Sequence, residues 1–176
     1  MKQHLLVVAL AATTLSAAAT VFAADGQINF TGEIIDQSCK VMPDANKSLQ
    51  VDLHKVARAA FTGKGSTAAA TKFTLQLTDC PESVKTASVK FDGTSVQGDN
   101  KVLALTQEEG VASGVGIQLY DDASKVIPLY TSSKAYSLKS GKELNNLDFI
   151  ARYIATANEV KPGVANSTAS FTINYN

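Results

Sequence analysis

Few side chains in this sequence could carry out chemistry. Its 176 residues include two cysteines, Cys39 and Cys80, and only two histidines, of which His54 alone lies beyond the N-terminal segment. A Ser-His-Asp arrangement requires a histidine oriented by a carboxylate, and Asp52 precedes His54 by two positions. Residues two apart share one face of a strand. We expect this pair to face solvent and to have no catalytic role.

The acidic residues do not predict a metal or acid–base site. Asp121–Asp122 and Glu108–Glu109 are adjacent pairs, and adjacent strand residues point to opposite faces, so we expect them to be solvated loop charges. A metal site needs several converging ligands, and none cluster in the sequence. Gly63-Lys-Gly-Ser66 lacks the spacing of a phosphate-binding loop. We therefore expect no enzyme activity, metal or cofactor.

Composition favours one folded domain. Apolar residues make up 45% of the chain and charged residues 18%, whereas disordered chains are rich in charge and poor in apolar residues. Lysine plus arginine equals aspartate plus glutamate at 16 each. Because the basic residues are scattered and not in excess, we expect no binding to nucleic acid. No stretch after residue 23 is long and apolar enough to span a bilayer, so we expect no insertion into a lipid membrane.

Residues 1–23 predict a secretory signal peptide. Lys2 precedes an apolar run from Leu5 to Leu15, and small residues then lead to Ala23. We expect cleavage between Ala23 and Ala24, since cleavage after Ala24 would place the large Phe22 where a small residue is preferred. Export to an oxidising compartment makes a disulfide between Cys39 and Cys80 the simplest expectation. A metal-binding or catalytic thiol is the weaker alternative.

The body of the chain is patterned as short β-strands. Apolar residues alternate with polar ones over Ile28–Ile34, Leu49–Leu53, Phe73–Leu77, Phe149–Ala155 and Phe171–Tyr175, among others. Turn signals separate these segments, and together they predict an antiparallel sandwich. We expect one helical turn within 55–60 and a loop over 63–70.

Both ends of the mature chain carry strand patterns. The sequence stops within the alternating segment at Asn176, and a terminal strand must find a partner or expose an edge. The leader, residues 24–34, alternates before the first cysteine. The leader therefore has the pattern of a strand outside the domain core, although it could also be an ordinary first strand of its own sheet.

Several segments together resemble the chaperone–usher pilus subunits of the type 1 fimbrial family. They read FTGEIIDQSC (30–39), FTLQLTDC (73–80), VLAL (102–105), GVGIQL (114–119) and FIARYIAT (149–156). In addition, Gly163 is fourteenth from the end and Tyr175 is penultimate, which resembles the C-terminal signature of the family. Asn176 departs from the more common terminal glutamine.

The resemblance implies an all-β, incomplete immunoglobulin-like antiparallel sandwich over residues 35–176 that lacks its final strand. A periplasmic chaperone would first lend a strand to the resulting groove. The N-terminal extension of a neighbouring subunit, residues 24–34, would then replace it at an outer-membrane usher. The product would be an adhesive fimbria at the cell surface.

The resemblance also assigns site residues. It implies a donor face made of Gly26, Ile28, Phe30, Gly32 and Ile34. It implies a groove-edge strand, contacted by the chaperone, that includes Gly163, Phe171, Ile173, Tyr175 and Asn176.

The position within the fibre stays open at this point. The leader is short, as in minor tip or adaptor subunits, whereas the body resembles a major rod subunit. A self-contained, secreted carbohydrate-binding adhesin domain is the alternative function. Dedicated adhesins of this kind usually carry an extra receptor domain, for which the mature chain has no room.

Overall fold

The computed structural model describes residues 26–32, 34, 38–42 and 48–176. The chain divides into two units, residues 1–34 and 35–176. In the first unit, the described residues belong to no helix or strand. Their large apolar side chains are exposed, with Ile28 at 78%, Phe30 at 91% and Ile34 at 97%. The predicted signal peptide and its cleavage site at Ala23 and Ala24 lie outside the described residues.

The described part of the second unit contains nine strands and one short 3-10 turn. The strands are β1 (Lys40–Met42), β2 (Thr67–Thr78), β3 (Thr86–Asp92), β4 (Ser95–Val96), β5 (Asp99–Leu103), β6 (Val115–Asp121), β7 (Tyr136–Ser137), β8 (Asn145–Ala155) and β9 (Ser170–Tyr175). The 3-10 turn spans Arg58–Ala60.

The strands form two antiparallel sheets. One has the order β1-β2-β8-β6-β5-β4 and the other the order β7-β3-β9. Every pairing between these strands is antiparallel. The sheets face each other across an aromatic cluster, in which the ring of Phe91 on β3 lies 5.2 Å from that of Phe149 on β8. The predicted all-β sandwich is confirmed.

Alternation explains the core. On β8, Leu147, Phe149 and Ala151 are buried at 0%, 0% and 4% exposure, and they lie on one face because strand side chains alternate. Leu75 and Leu77 face the same core from β2. The predicted strand over Leu49–Leu53 is wrong, because 48–57 form no strand. Leu53 is nevertheless buried.

Two local expectations have different outcomes. The predicted helical turn within 55–60 is confirmed as the 3-10 turn. The predicted loop over 63–70 is only partly correct, since β2 already begins at Thr67. The small residues of this stretch pair with β8, where Thr67 lies opposite Ile154. Pairing partners, rather than local composition, therefore decide where β2 begins.

Candidate strand-binding groove

β9 has one unpaired edge. In the described part of the chain, β9 pairs only with β3. Antiparallel ladders alternate hydrogen-bonded and non-hydrogen-bonded pairs. Asn176 and Thr86 form a hydrogen-bonded pair, with N–H to O distances of 2.9 and 2.8 Å, so the even-numbered β9 residues bond to β3. The backbone N–H and C=O groups of Phe171, Ile173 and Tyr175 consequently point away from β3.

The inner face of β9 is incompletely covered. Opposite residues of an antiparallel pair share one face, and Phe171 lies opposite Phe91. Phe91 is 4% exposed, whereas Phe171 is 37% exposed. Ile173 and Tyr175 are likewise only half-buried, although their β3 partners Val89 and Ala87 are fully buried. The core is therefore open along β9, on the side away from β3.

The C-terminal end of this groove is closed by the first cysteine. The Tyr175 hydroxyl donates to the Cys39 carbonyl at 3.5 Å. Burial raises the pKa of Tyr175, and hydrogen bonds with Ser38 and Cys39 partly oppose that shift. The N–H of Asn176 donates to Thr86, and its terminal oxygen accepts the N–H groups of Lys85 and Thr86. The last residue is thus held against β3.

The predicted disulfide is present. Cys39 and Cys80 are bonded, with Cα atoms 4.1 Å apart, and both are buried. The bond joins the residue before β1 to the segment after β2. It thereby fixes the segment that carries the Cys39 carbonyl, which is the acceptor for Tyr175.

An open cavity of about 990 Å³ lies at the other end of β9. Residues 160–168, which lead into β9, form one wall, and segment 50–61 contributes another. Its apolar lining comprises Leu53, Val56, Phe61, Val115, Ile117, Tyr153 and Val160, among others. The Tyr153 hydroxyl donates to the Ala165 carbonyl at 3.1 Å. Burial, followed by the nearby charge of Asp52, raises the pKa of Tyr153.

Gly163 is required by close backbone packing in this wall. A Cβ atom built there would lie 2.4 Å from the Gly110 oxygen and 2.5 Å from the Ala112 nitrogen. The adjacent Val164 forms a parallel bridge with Val111. Gly163 therefore shapes the cavity wall and is not itself part of β9, which begins at Ser170.

The other polar residues considered in the sequence form no catalytic site. His54 Nδ1 lies 3.2 Å from Asp52, and both side chains are more than 70% exposed, as expected. Asp121 differs from expectation, because it is 4% exposed. It accepts the N–H groups of Ala123 and Lys125 at 3.0 and 2.8 Å, and so shapes the turn after β6.

Within the described ranges, no group of three or more potential metal ligands occurs. No helix among those residues is long and apolar enough to cross a membrane.

Sequence patterns gave no indication of the cavity wall formed by 50–61. Its alternating apolar residues were indistinguishable from those of a strand. The one available signal was Asp52, whose side chain accepts the N–H of His54 at 2.7 Å in a local turn typical of aspartate. His54 has a positive φ of 58° there, which interrupts an extended strand.

Comparison with known proteins gives consistent matches over nearly the whole chain. The family model described as "Fimbrial protein" matches residues 28–176. The Long polar fimbria protein A of Salmonella typhimurium is 33% identical, over 95% of this chain and 92% of its own length.

Solved structures agree with that match. The antigen and type I fimbria protein of Burkholderia pseudomallei is 41% identical, with a TM-score of 0.60 over 85% of this chain and 97% of that one. The P pilus rod subunit PapA is 19% identical, with a TM-score of 0.64 over 80% and 100% of the two chains, and it supports the immunoglobulin-like fold alone.

Proposed function

The chain belongs to the fimbrial protein family and is a structural subunit of a surface pilus, and we propose that it polymerises by donor-strand exchange. In this proposal the leader of one subunit, residues 24–34, fills the groove beside β9 of the next. A periplasmic chaperone occupies the groove beforehand, and an outer-membrane usher carries out the exchange. The signal peptide is removed between Ala23 and Ala24 during export.

The observation that carries the proposal is the unpaired edge of β9 beside a half-exposed core face. Unpaired backbone groups at a sheet edge are a template for strand addition. Here the same strand also presents Phe171, Ile173 and Tyr175 incompletely covered. An added strand would satisfy the backbone groups and cover the apolar face together.

The leader has the chemistry that such a groove requires. Ile28, Phe30 and Ile34 are each more than 75% exposed in this chain, and burying each would contribute about 1.5–3 kcal/mol before ordering costs. A strand advances about 3.3 Å per residue, so the leader can extend over roughly 35 Å. The six residues of β9 span only about 20 Å by the same measure. Gly26 and Gly32 leave room for close backbone approach.

The alternative of a self-contained carbohydrate-binding domain is not favoured. Such a domain would complete its own sheets, whereas β9 is left with a free edge among the described residues. In addition, the match to the Salmonella fimbrial protein, which supports a pilus subunit instead, covers 92% of that protein's length.

Deletion of residues 24–33 tests the proposal. The shortened chain should still bind the chaperone, since its groove is intact, but should not form fibres, because no subunit then has a leader to donate. A matched variant in which Gln27, Asn29 and Thr31 are replaced by serine should polymerise normally, because these residues alternate with the donor face. Electron microscopy and SDS-resistant ladders provide the readout. Normal fibres from the deletion variant would refute strand donation.

A further inference from the structure

We propose that three cations at the mouth of the cavity, Lys55, Arg58 and Lys161, recognise Glu33 in the leader of a second copy of this chain. The inference rests on the proposed strand donation. It adds a charge contact that guides the incoming strand.

The cavity mouth carries an excess of positive charge. Lys55, Arg58 and Lys161 all line the cavity and are exposed. None of them forms an ion pair with another described residue. Asp52 is the only acidic residue in the lining, and it already contacts His54 at 3.2 Å. The mouth therefore offers net positive charge to a ligand.

Backbone hydrogen bonds fix the chain at two of these cations, Lys161 and Arg58. Lys161 exchanges two backbone hydrogen bonds with Ser113, at 2.9 and 3.2 Å. The Arg58 carbonyl accepts the N–H of Phe61 at 3.0 Å within the 3-10 turn. Two separate segments thus present their charges at one opening, where only the side chains need to adjust to a ligand.

The two ends of the groove differ, and this difference sets the strand direction. Tyr175 and Cys39 close the end at the C-terminus of β9, whereas the cavity lies beside residues 160–168 at the other end. The C-terminal end of a donated leader continues directly into the body of the second copy. That body needs open space, so Glu33 and Ile34 belong at the cavity, and the leader runs antiparallel to β9.

The leader has matching charge. Residues 24–34 contain two acids, Asp25 and Glu33, and no lysine or arginine. When Gly32 and Ile34 face the groove, Glu33 faces outward because strand side chains alternate. Its carboxylate then lies at the mouth rather than in the apolar interior. Exposed ion pairs add little to equilibrium affinity, but complementary charges accelerate association, so the contact should act mainly on the rate.

A synthetic peptide of residues 24–34 tests this inference with the purified mature chain. We expect the Glu33→Gln peptide to associate about 3–10-fold more slowly than the natural peptide at low salt, near 0.05 M. At about 0.5 M salt the difference should shrink to less than about twofold, because screening weakens exposed charge contacts. Stopped-flow fluorescence of a labelled peptide gives the rates.

A charge exchange provides the specificity control. The Lys55→Glu/Arg58→Glu chain should bind the natural peptide more slowly and the Glu33→Lys peptide faster than the unchanged chain does. A Lys101→Glu/Lys125→Glu chain has the same change in net charge, on residues that do not line the cavity. It should bind both peptides at the unchanged rates.

The outcomes separate the two levels of the proposal. If the natural peptide binds but Glu33→Gln binds equally fast at low salt, the charge contact is refuted and strand donation stands. Equal effects of the two double reversals would also refute it, since net charge alone would then account for the rates. If the natural peptide does not bind, both are overturned. The Ile28→Asp peptide is the negative control and should not bind, because it places a charge on the donor face. Its failure to bind would show that the natural peptide binds through that face.

Discussion

At the residue scale, Phe171 is the clearest sign that a strand is missing. It lies opposite Phe91 on the same inner face, yet it is about nine times more exposed, at 37% against 4%. A phenylalanine at an inward strand position is normally covered, because burying it contributes about 1.5–3 kcal/mol. That contribution is incomplete in the isolated chain and would be completed on assembly.

Replacing Gly163 by alanine should destabilise the body by about 1–3 kcal/mol. The new Cβ would overlap backbone atoms of residues 110–112, which cannot move aside as a flexible side chain could. Urea denaturation of the purified chain measures the change. Gly32→Ala is the matched control, since no atom lies within 4 Å of its Cβ position. Equal stability of the two variants would show that the close approach at Gly163 is not a constraint.

Stability should fall above about pH 10 because of buried and half-buried tyrosines. Burial raises the pKa of Tyr120, Tyr136, Tyr153 and Tyr175, whereas in the unfolded chain each titrates near ~10. A pKa that is raised in the folded state gives stability that is fully present below ~10 and lost as pH rises through the folded pKa.

The urea midpoint at about pH 11 should therefore lie below that at pH 8. Tyr175→Phe should show a smaller decrease over the same interval, because one of the four groups no longer titrates. An unchanged midpoint in the natural chain would contradict this assignment.

At the element scale, the leader has apolar residues at alternate positions, yet its described residues belong to no strand. Substitutions at the positions that would face the groove and at those that would face solvent should therefore have different effects. Ile28→Asp should abolish or strongly slow polymerisation, since a charge would enter an apolar groove. The adjacent Asn29→Asp introduces the same charge on the opposite face and should polymerise nearly normally. Light scattering during assembly compares them, and equal defects would argue that the leader does not insert as a strand.

The disulfide supports the closed end of the groove. Its partners are separated by 41 positions, and the chain-entropy model gives such a loop about 4 kcal/mol. Cys39→Ser/Cys80→Ser should lower the free energy of unfolding by that order and reduce binding of the leader peptide. Urea denaturation and peptide binding measure the two effects. Unchanged peptide binding would show that the Tyr175–Cys39 contact does not shape the groove.

Sequence patterns predicted those strands whose apolar residues recur at a period of two. β8 and β9 were identifiable because their apolar residues face one core at a period of two. Segment 50–61 was not, because its alternation is interrupted by a turn at His54 and its apolar residues line a cavity. Asp121 was misjudged because the N–H groups that it accepts belong to a turn whose shape only the fold reveals. The free edge of β9 depends on which strands pair with each other. A local sequence pattern predicts a strand but not its pairing partner.

At the scale of the whole molecule, the body is a sandwich with one strand position open between a closed and an open end. Hydrogen-bond capacity and apolar surface are left unsatisfied along the same strand. A single extended segment with apolar residues at alternate positions would both form the missing hydrogen bonds and cover the apolar surface. The leader is such a segment, and passing it from copy to copy would build a fibre of indefinite length.

A high-resolution cryo-electron microscopy reconstruction of the assembled pilus tests this account most directly. The account predicts continuous strand density hydrogen-bonded to Phe171, Ile173 and Tyr175, with the side chains of Ile28, Phe30 and Ile34 facing inward. That density should trace into the body of the neighbouring subunit. Density that traces instead into the same subunit, or an edge of β9 left empty within the fibre, would contradict it.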